Sequence, residues 1–354
     1  MNLWRVSGRW FACLCCVALS LAGCDEAAKL VEQGKQNAAD LQKRLETEKP
    51  EEKPADPAIP PPQVPATPPK PPTAEEIIAE FNGIAPKERR DVNLQRIGGL
   101  EEKDRLTFLK MDLRESKITD LGLAELAKFP NLTELNLSKC GVTPSGLKAI
   151  AGLTLLEKLN LEGTPVADAG MAHLANLTKL TDLSLAKCGV SGAGLGHLSA
   201  MLQLKKLNLN GNSDLTGDGF QKISKPLPLV ELDVSLTRFG INGQMAGAQF
   251  ANLERLTASR SAFNDDALAM LGKCRKLRYL ILVDNLGVTD YGVTQLAGCR
   301  EMDTLALDGT QTSDQCLPSL RNLKKMVKFS AFNTKVTPGN AKIIFPNAEV
   351  VAGQ

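Results

Sequence analysis

The strongest constraint on this chain is that it resembles itself. The unit Leu132-x-x-Leu135-x-Leu137-x-x-Cys140-x-Val142-Thr143-x-x-Gly146-Leu147 returns after 24 residues as Leu156, Leu159, Leu161, Thr164, Val166, Gly170 and Met171. It returns again as Leu180, Leu183, Leu185, Cys188, Val190, Ser191, Gly194 and Leu195. Later copies begin at Leu204, Leu229, Leu253, Leu277, Met302 and Met326, and a degenerate first copy begins at Phe108. These are about ten units of 24–25 residues, with single-residue insertions near Asp214 and Gly287. A short fixed period signals stacked units, none of which buries its apolar side alone.

The spacing within a unit has a physical reading. Leu135 and Leu137 are two apart, so in a strand both point into the core. Leu132 packs at the preceding turn and Val142 closes the layer. Residues 143–152 have helix spacing and return Leu147 and Ile150 to the strand. Thr119, Thr143, Ser191, Thr216, Asn264, Thr289, Ser313 and Thr337 share one register position, where a helix N-cap is expected. The position of Cys140 is held elsewhere by Ser116, Thr164, Cys188, Asn212, Thr237, Ser261, Asn285, Thr310 and Thr334. All are small groups able to satisfy backbone atoms left unpaired at the bend.

This pattern over residues 106–340 resembles leucine-rich-repeat proteins. The form Cys274-x-x-Leu277-x-x-Leu280-x-Leu282-x-x-Asn285, followed by Val288-Thr289-Asp290-x-Gly292-Val293, resembles the cysteine-containing subfamily. The resemblance implies an α/β, right-handed solenoid with parallel strands on the concave face and helices on the convex face. That subfamily includes eukaryotic F-box proteins, but no F-box-like segment is evident and ubiquitin ligation is not carried over. Residues 73–105, opening with a capping-box pattern from Thr73 to Glu76, are expected to shield the first coil. Residues 341–354, with Ile343-Ile344-Phe345-Pro346 and Val350-Val351, are expected to shield the last.

The N-terminus reads as an export address. Arg5 and Arg9 precede an apolar run from Trp10 to Leu21, too short for a comfortable span of about 20 residues. Its end, Leu21-Ala22-Gly23-Cys24, resembles the bacterial lipobox. The resemblance implies a signal peptide over 1–23 and lipid on Cys24; an ordinary signal peptide with a chance cysteine is the alternative. Residues 24–49 form a charged tether, rich in helix formers. Val31, Ala38 and Leu45 are spaced by sevens, as in a short coiled-coil seam, but Gly34 interrupts it and an isolated partial helix is the other reading. Residues 50–72 are a proline-rich linker expected in extended polyproline II, reaching on the order of 70 Å. A proline-motif ligand for another domain is the sharper alternative.

The chemistry of catalysis is not evident: no phosphate loop, nucleophile elbow or metal-protease motif occurs. No enzyme activity, cofactor or metal is expected. Formal net charge is +2, with no basic excess to recruit nucleic acid. His173 and His197 stand 24 apart, on one register position, either sharing a metal or reflecting repeat duplication. Cys274 and Cys299 also share a register position on neighbouring coils, close enough for a disulfide, whereas Cys140 and Cys188 are two coils apart and too far.

The outward strand column reads Asp112, Asn136, Asn160, Ser184, Asn208, Asp233, Thr257, Ile281, Ala306 and Ser330. Its polar character ends at Ile281, beside which stand Tyr279 and Val283, with Phe332 two coils on. This apolar group is the candidate partner-binding site; drift of one coil, or cover by the C-terminal flank, is the alternative. The expectation is a lipid-anchored, extracytoplasmic module of a bacterial envelope, periplasmic or at the cell surface, binding a protein on its concave face and the membrane through Cys24. A structural envelope protein binding wall polymer or itself is the rival.

Overall fold

The computed structural model describes residues 71–241 and 250–353, together with Glu32, Gln33, Lys35, Gln36, Ala39 and Lys43. The signal segment 1–23, Cys24, linker residues 50–70 and the seam positions Val31, Ala38 and Leu45 lie outside the described residues. The chain divides into two units, 1–69 and 70–354. In the first, the six described residues are helical.

The second unit is built on one sheet of eleven parallel strands in sequence order. They are β1 (Lys110–Asp112), β2 (Glu134–Asn136), β3 (Lys158–Asn160), β4 (Asp182–Ser184), β5 (Lys206–Asn208), β6 (Glu231–Asp233), β7 (Arg255–Thr257), β8 (Tyr279–Ile281), β9 (Thr304–Ala306), β10 (Lys328–Phe332) and β11 (Glu349–Gly353). The pairing register follows the sequence period, with Leu135 opposite Leu159 and Leu183 opposite Leu207. This is the leucine-rich-repeat solenoid that the sequence leads one to expect. The repeat leucines line one continuous core; Leu132, Leu137, Leu156, Leu161, Leu180 and Leu185 are fully buried. Each such side chain contributes about 1.5–3 kcal/mol.

The convex side departs from regular α-helix. Gly146–Ile150, Gly194–Ala200 and Gly217–Lys222 are 3-10 helices, whereas Ala167–Leu174 and Asp265–Leu271 are α-helical. A 3-10 helix rises about 2.0 Å per residue against about 1.5 Å for an α-helix, so it crosses the coil with fewer residues.

Every coil leaves its strand through one left-handed residue. Glu115, Lys139, Gly163, Lys187, Gly211, Leu236, Arg260, Asp284, Gly309 and Asn333 all have positive φ, between 50° and 74°. Their amides extend the ladder beyond the strand: Lys139 N–H donates to the Glu162 carbonyl at 2.6 Å, and Arg260 N–H to the Val283 carbonyl at 2.9 Å. The buried polar column then closes the bend. Thr164 Oγ1 donates to the Leu137 carbonyl at 2.7 Å and Cys188 Sγ to the Leu161 carbonyl at 3.0 Å. Asn212 Nδ2 donates to the carbonyls of Leu185 and Leu209, while its Oδ1 accepts from the amides of Cys188 and Val190.

A second ladder joins the helix starts. Asp120 accepts from the Thr143 amide at 2.9 Å and hydroxyl at 2.6 Å. Asp265 does the same to Thr289, Asp290 to Ser313 and Asp314 to Thr337. Of the expected N-caps, Thr143 and Ser191 instead precede 3-10 helices that start three residues later, and Thr216 and Thr337 make no side-chain cap, so at these positions the expectation fails. Thr119, Asn264, Thr289 and Ser313 cap their helices as expected, and Thr289 Oγ1 also donates to Asp265 while accepting from the Tyr291 amide. The same carboxylate explains the repeat glycine, since a Cβ on Gly146 would strike Asp120 and one on Gly292 would strike Asp265. The ladder is interrupted where Pro144, Gly192, Gly217 and Ile241 replace the aspartate.

The flanks are built on phenylalanine. Helices α1 (Ala74–Gly83) and α2 (Asp91–Gly98) precede β1, and the capping box is formed, with Glu76 N–H donating to Thr73 Oγ1 at 3.3 Å and Thr73 N–H to Glu76 Oε2 at 2.8 Å. Phe81, Phe108 and Phe129 stack edge to face behind them. At the other end Phe345 packs on Phe329, but residues 349–353 extend the sheet as β11. Ile343 is 75% exposed and Val351 is 41% exposed. Val350 is half-buried against the core and Val351 points to solvent, so β11 covers the last coil with one side of the strand only.

The aspartate ladder makes a testable statement. Asp265→Ala leaves the Thr289 amide without its partner and is expected to cost about 1–3 kcal/mol in chemical denaturation. Gly292→Ala is expected to destabilise by displacing the same carboxylate. The double variant should cost less than the sum, because removing the carboxylate vacates the space the new methyl needs. Strict additivity in a double-mutant cycle would mean that the two positions do not meet.

Candidate functional site: a groove on the sheet face

Alternation along each strand sends its first and third residues to the outward face. The first column reads Lys110, Glu134, Lys158, Asp182, Lys206, Glu231 and Arg255 across β1–β7, alternating in sign. Glu134 lies 3.0 Å from both Lys110 and Lys158, and Glu231 lies 3.3 Å from Lys206. Arg255 stacks over the Tyr279 ring at 3.9 Å. Asp182 stands between two lysines, yet its carboxylate makes no ion pair or hydrogen bond among the described residues, since its shorter side chain does not make the reach that Glu134 makes. Burial holds its carboxyl above the usual range, against the pull of Lys206 and Lys158.

The third column is neutral over most of its length. Asn136, Asn160 and Asn208 each turn Oδ1 back to accept from the amide two residues on, at 3.0 Å, so the strand ends are capped by their own side chains. Asp112 and Asp233 do the same. The Nδ2 groups of the three asparagines remain as donors without protein partners among the described residues.

Over β1–β4 these columns floor a groove of about 560 Å³. It is lined by residues of those strands and closed at the N-terminal end by Phe81, Asn82 and Arg89. Arg89 is only 7% exposed. It donates to the carbonyls of Ile84 at 3.1 Å, Asp112 at 2.6 Å and Phe81 at 3.2 Å, and its guanidinium lies 4.2 Å from the Phe81 ring centre. It thus takes the place of a preceding strand at the edge of β1. Burial lowers its pKa from the ordinary value, with Asp112 acting in the opposite direction.

The apolar candidates of the C-terminal half lie elsewhere on this face. Tyr279 and Ile281 are partly exposed on β8, Val283 follows two residues later, and Phe332 is 53% exposed at the end of β10. Extending the strand register puts Asp308 between Val283 and Phe332, and Asp308 Oδ1 accepts from the Phe332 amide at 2.6 Å and the Ser330 hydroxyl at 2.5 Å. Ala306, next to Ile281, is buried. Tyr279, Ile281 and Val283 thus follow one another along one outward line with Arg255 on the Tyr279 face, and Asp308 separates them from Phe332. Sequence reasoning followed the third column and passed over the first; the signal available was the alternation of Lys and Glu or Asp at one register position.

The five described cysteines are free thiols, Cys274 and Cys299 among them. Burial pushes Cys274 up to about 11 and Cys188, Cys299 and Cys316 up to about 12. His173 is partly exposed and His197 exposed, and no cluster of metal-ligating side chains occurs among the described residues.

A leucine-rich-repeat family model matches residues 130–151. No curated protein matches the chain in sequence. Among solved structures the chain is similar to an internalin (inlF) of Listeria monocytogenes, at 16% identity over 79% of this chain and 88% of that one, with a TM-score of 0.48. It is also similar to a leucine-rich-repeat protein of Leptospira interrogans, at 16% identity over 71% and 80%, with a TM-score of 0.47. A structure of PEPR1 with AtPEP1 shares 17% identity over 73% of this chain and 39% of that one, with a TM-score of 0.49.

Two measurements probe this face and the core beneath it. Hydrogen bonds from Lys110 and Lys158 hold the Glu134 carboxyl below the usual carboxylate range. Its contribution to stability is therefore present above the unfolded pKa of about 4.3 and lost as pH falls through the lower folded value. Because the site is largely solvated, the loss from pH 7 to 3 attributable to it should stay below about 1 kcal/mol. Glu134→Gln should remove that part of the pH dependence; an unchanged profile would mean the ladder is electrostatically idle. Separately, native alkylation at pH 8 followed by mass spectrometry should leave Cys188, Cys274, Cys299 and Cys316 unmodified until denaturant is added. Labelling of any of them in the folded protein would contradict their burial.

Proposed function

We propose that this chain is a non-enzymatic binding module, lipid-anchored through Cys24 outside the cytoplasm of a bacterium, that holds a protein partner on the concave face of its sheet. The observation that carries the reading is the groove over β1–β4. It is a preformed concavity in which the charged column is largely paired with itself and the asparagine column presents unused amide donors. Such a surface recognises by hydrogen bonding and shape with little ordering cost in its own side chains. The anchor rests on the lipobox resemblance at Leu21–Cys24 and on the export pattern before it. Tyr279, Ile281, Val283 and Phe332 are a second set of contact candidates on the same face.

The test is cross-linking with the tagged full-length chain in native membranes, with three variants run alongside. Asn160→Arg fills the groove, Ile281→Asp marks the C-terminal half, and Cys24→Ser removes the anchor. Partner capture should fall at least tenfold in Asn160→Arg while its circular dichroism spectrum matches the wild type and its unfolding midpoint falls only by the loss of the Glu162 amide contact, and Cys24→Ser should move to the soluble fraction. A loss confined to Ile281→Asp would place the partner on the C-terminal half. Equal capture by all three would remove the concave-face reading, and membrane retention of Cys24→Ser would remove the anchor.

A further inference from the structure

The groove has two chemically distinct ends. At the cap end stands Arg89, buried, with donors bonded to the carbonyls of Ile84, Asp112 and Phe81 but with no carboxylate at ion-pairing distance among the described residues. Asp112, whose field acts on it, is paired to Arg114 at 2.6 Å. A guanidinium has five N–H groups, and three carbonyls leave part of that capacity unused. At the β4 end stands Asp182, a half-buried carboxylate that neither neighbouring lysine pairs with. Between them, Lys110 and Lys158 are neutralised by Glu134, and the free amides of Asn136 and Asn160 face the same space. The ionised lining comprises Arg89, Lys110 and Lys158 against Asp112, Glu134 and Asp182, so the groove has no net charge yet is polarised along its length.

We propose that this groove takes a short, extended peptide with both termini free, its carboxylate at Arg89 and its ammonium at Asp182. The inference rests on the concave-face reading above, and adds to the protein partner a peptide ligand that competes with it for the groove. The two charges are separated by about four inter-strand steps, roughly 19 Å at about 4.8 Å each. Allowing about 3 Å of hydrogen-bond reach at each end leaves roughly 13 Å. An extended chain advances about 3.3–3.6 Å per residue, so four residues fit. The peptide runs from β4 towards the cap, and the amides of Asn136 and Asn160 donate to its carbonyls. A neutral polyol would use the amide row and leave both end charges unanswered; a net anion or cation would answer only one of them.

The experiment is ligand-observed NMR on the detergent-solubilised full chain, with tetra-alanine as probe in four forms: free, N-acetylated, C-amidated and blocked at both ends. Free tetra-alanine should bind, and each single block should weaken binding about tenfold, the scale of one charge-assisted hydrogen bond. Free di-alanine, too short to reach both ends, should bind as weakly as a singly blocked tetrapeptide. Asp182 supports no other side chain, so Asp182→Asn should keep the fold. It should weaken the free peptide about tenfold while leaving the N-acetylated form unchanged. Equal affinity for all four forms, equal weakening of all forms by Asp182→Asn, or no binding by any form would each overturn the proposal. Membrane partner capture that depends on Asn160 but persists in excess free tetra-alanine would sink this inference while leaving the concave-face reading in place.

Discussion

The solenoid depends on backbone hydrogen bonds that pass from each coil to the next. A strand of three residues has too few such bonds to stand alone, and the left-handed residue after it extends the ladder by another. Seven of those ten positions are not glycine, although a left-handed non-glycine residue costs on the order of 1 kcal/mol. The conformation persists because the amide it aims at the neighbouring coil, as at Lys139 and Arg260, would otherwise be buried without a partner. The polar column from Ser116 to Thr334 and the aspartate ladder apply the same rule at the other two corners of the coil. Stacking is therefore cooperative along the array, and each coil is completed by its neighbour.

That arrangement explains which parts were readable in the sequence. The leucine positions and the small polar column follow from period alone, because side-chain direction in a strand is fixed by alternation. The left-handed column was not readable: its residues are Glu, Lys, Leu, Arg, Asp and Asn as well as Gly, and only Gly163, Gly211 and Gly309 carry a local signal. Thr289 and Ser313 were visible as caps, but their acidic partners lie 24 and 23 residues away, so the intercoil aspartate could be found only by reading one register position against the next. The 3-10 turns escaped because helix spacing over five residues does not separate the two helix types. The apolar residues of 341–354 lead one to expect a segment that shields the last coil, but not whether it does so as a helix or, as residues 349–353 do, as a strand added to the sheet edge.

The candidate site divides along the same line. The apolar points at Tyr279, Ile281, Val283 and Phe332 stand out in the sequence because their residue types change within a column. The groove does not, because it arises from cap residues meeting the first four strands. Arg89 sits in a stretch with no repeat register, and its role at the edge of β1 depends on carbonyls of Phe81, Ile84 and Asp112, which no side-chain pattern announces.

The charge ladder also sets what this face is able to recognise. A parallel sheet places equal register positions about 4.8 Å apart, so like charges in one column would repel along its whole length. Alternation removes that repulsion, and it also withdraws those charges from ligands, since Glu134 already serves two lysines. What remains available is the exception at each end: an aspartate one methylene too short to join the ladder, and an arginine that belongs to the cap. A uniformly charged column would have attracted ligands by net charge, with a salt-sensitive and unselective field. Here the long-range field is small, and discrimination is confined to two points at a fixed separation, which makes ligand length and terminal chemistry the quantities the groove measures.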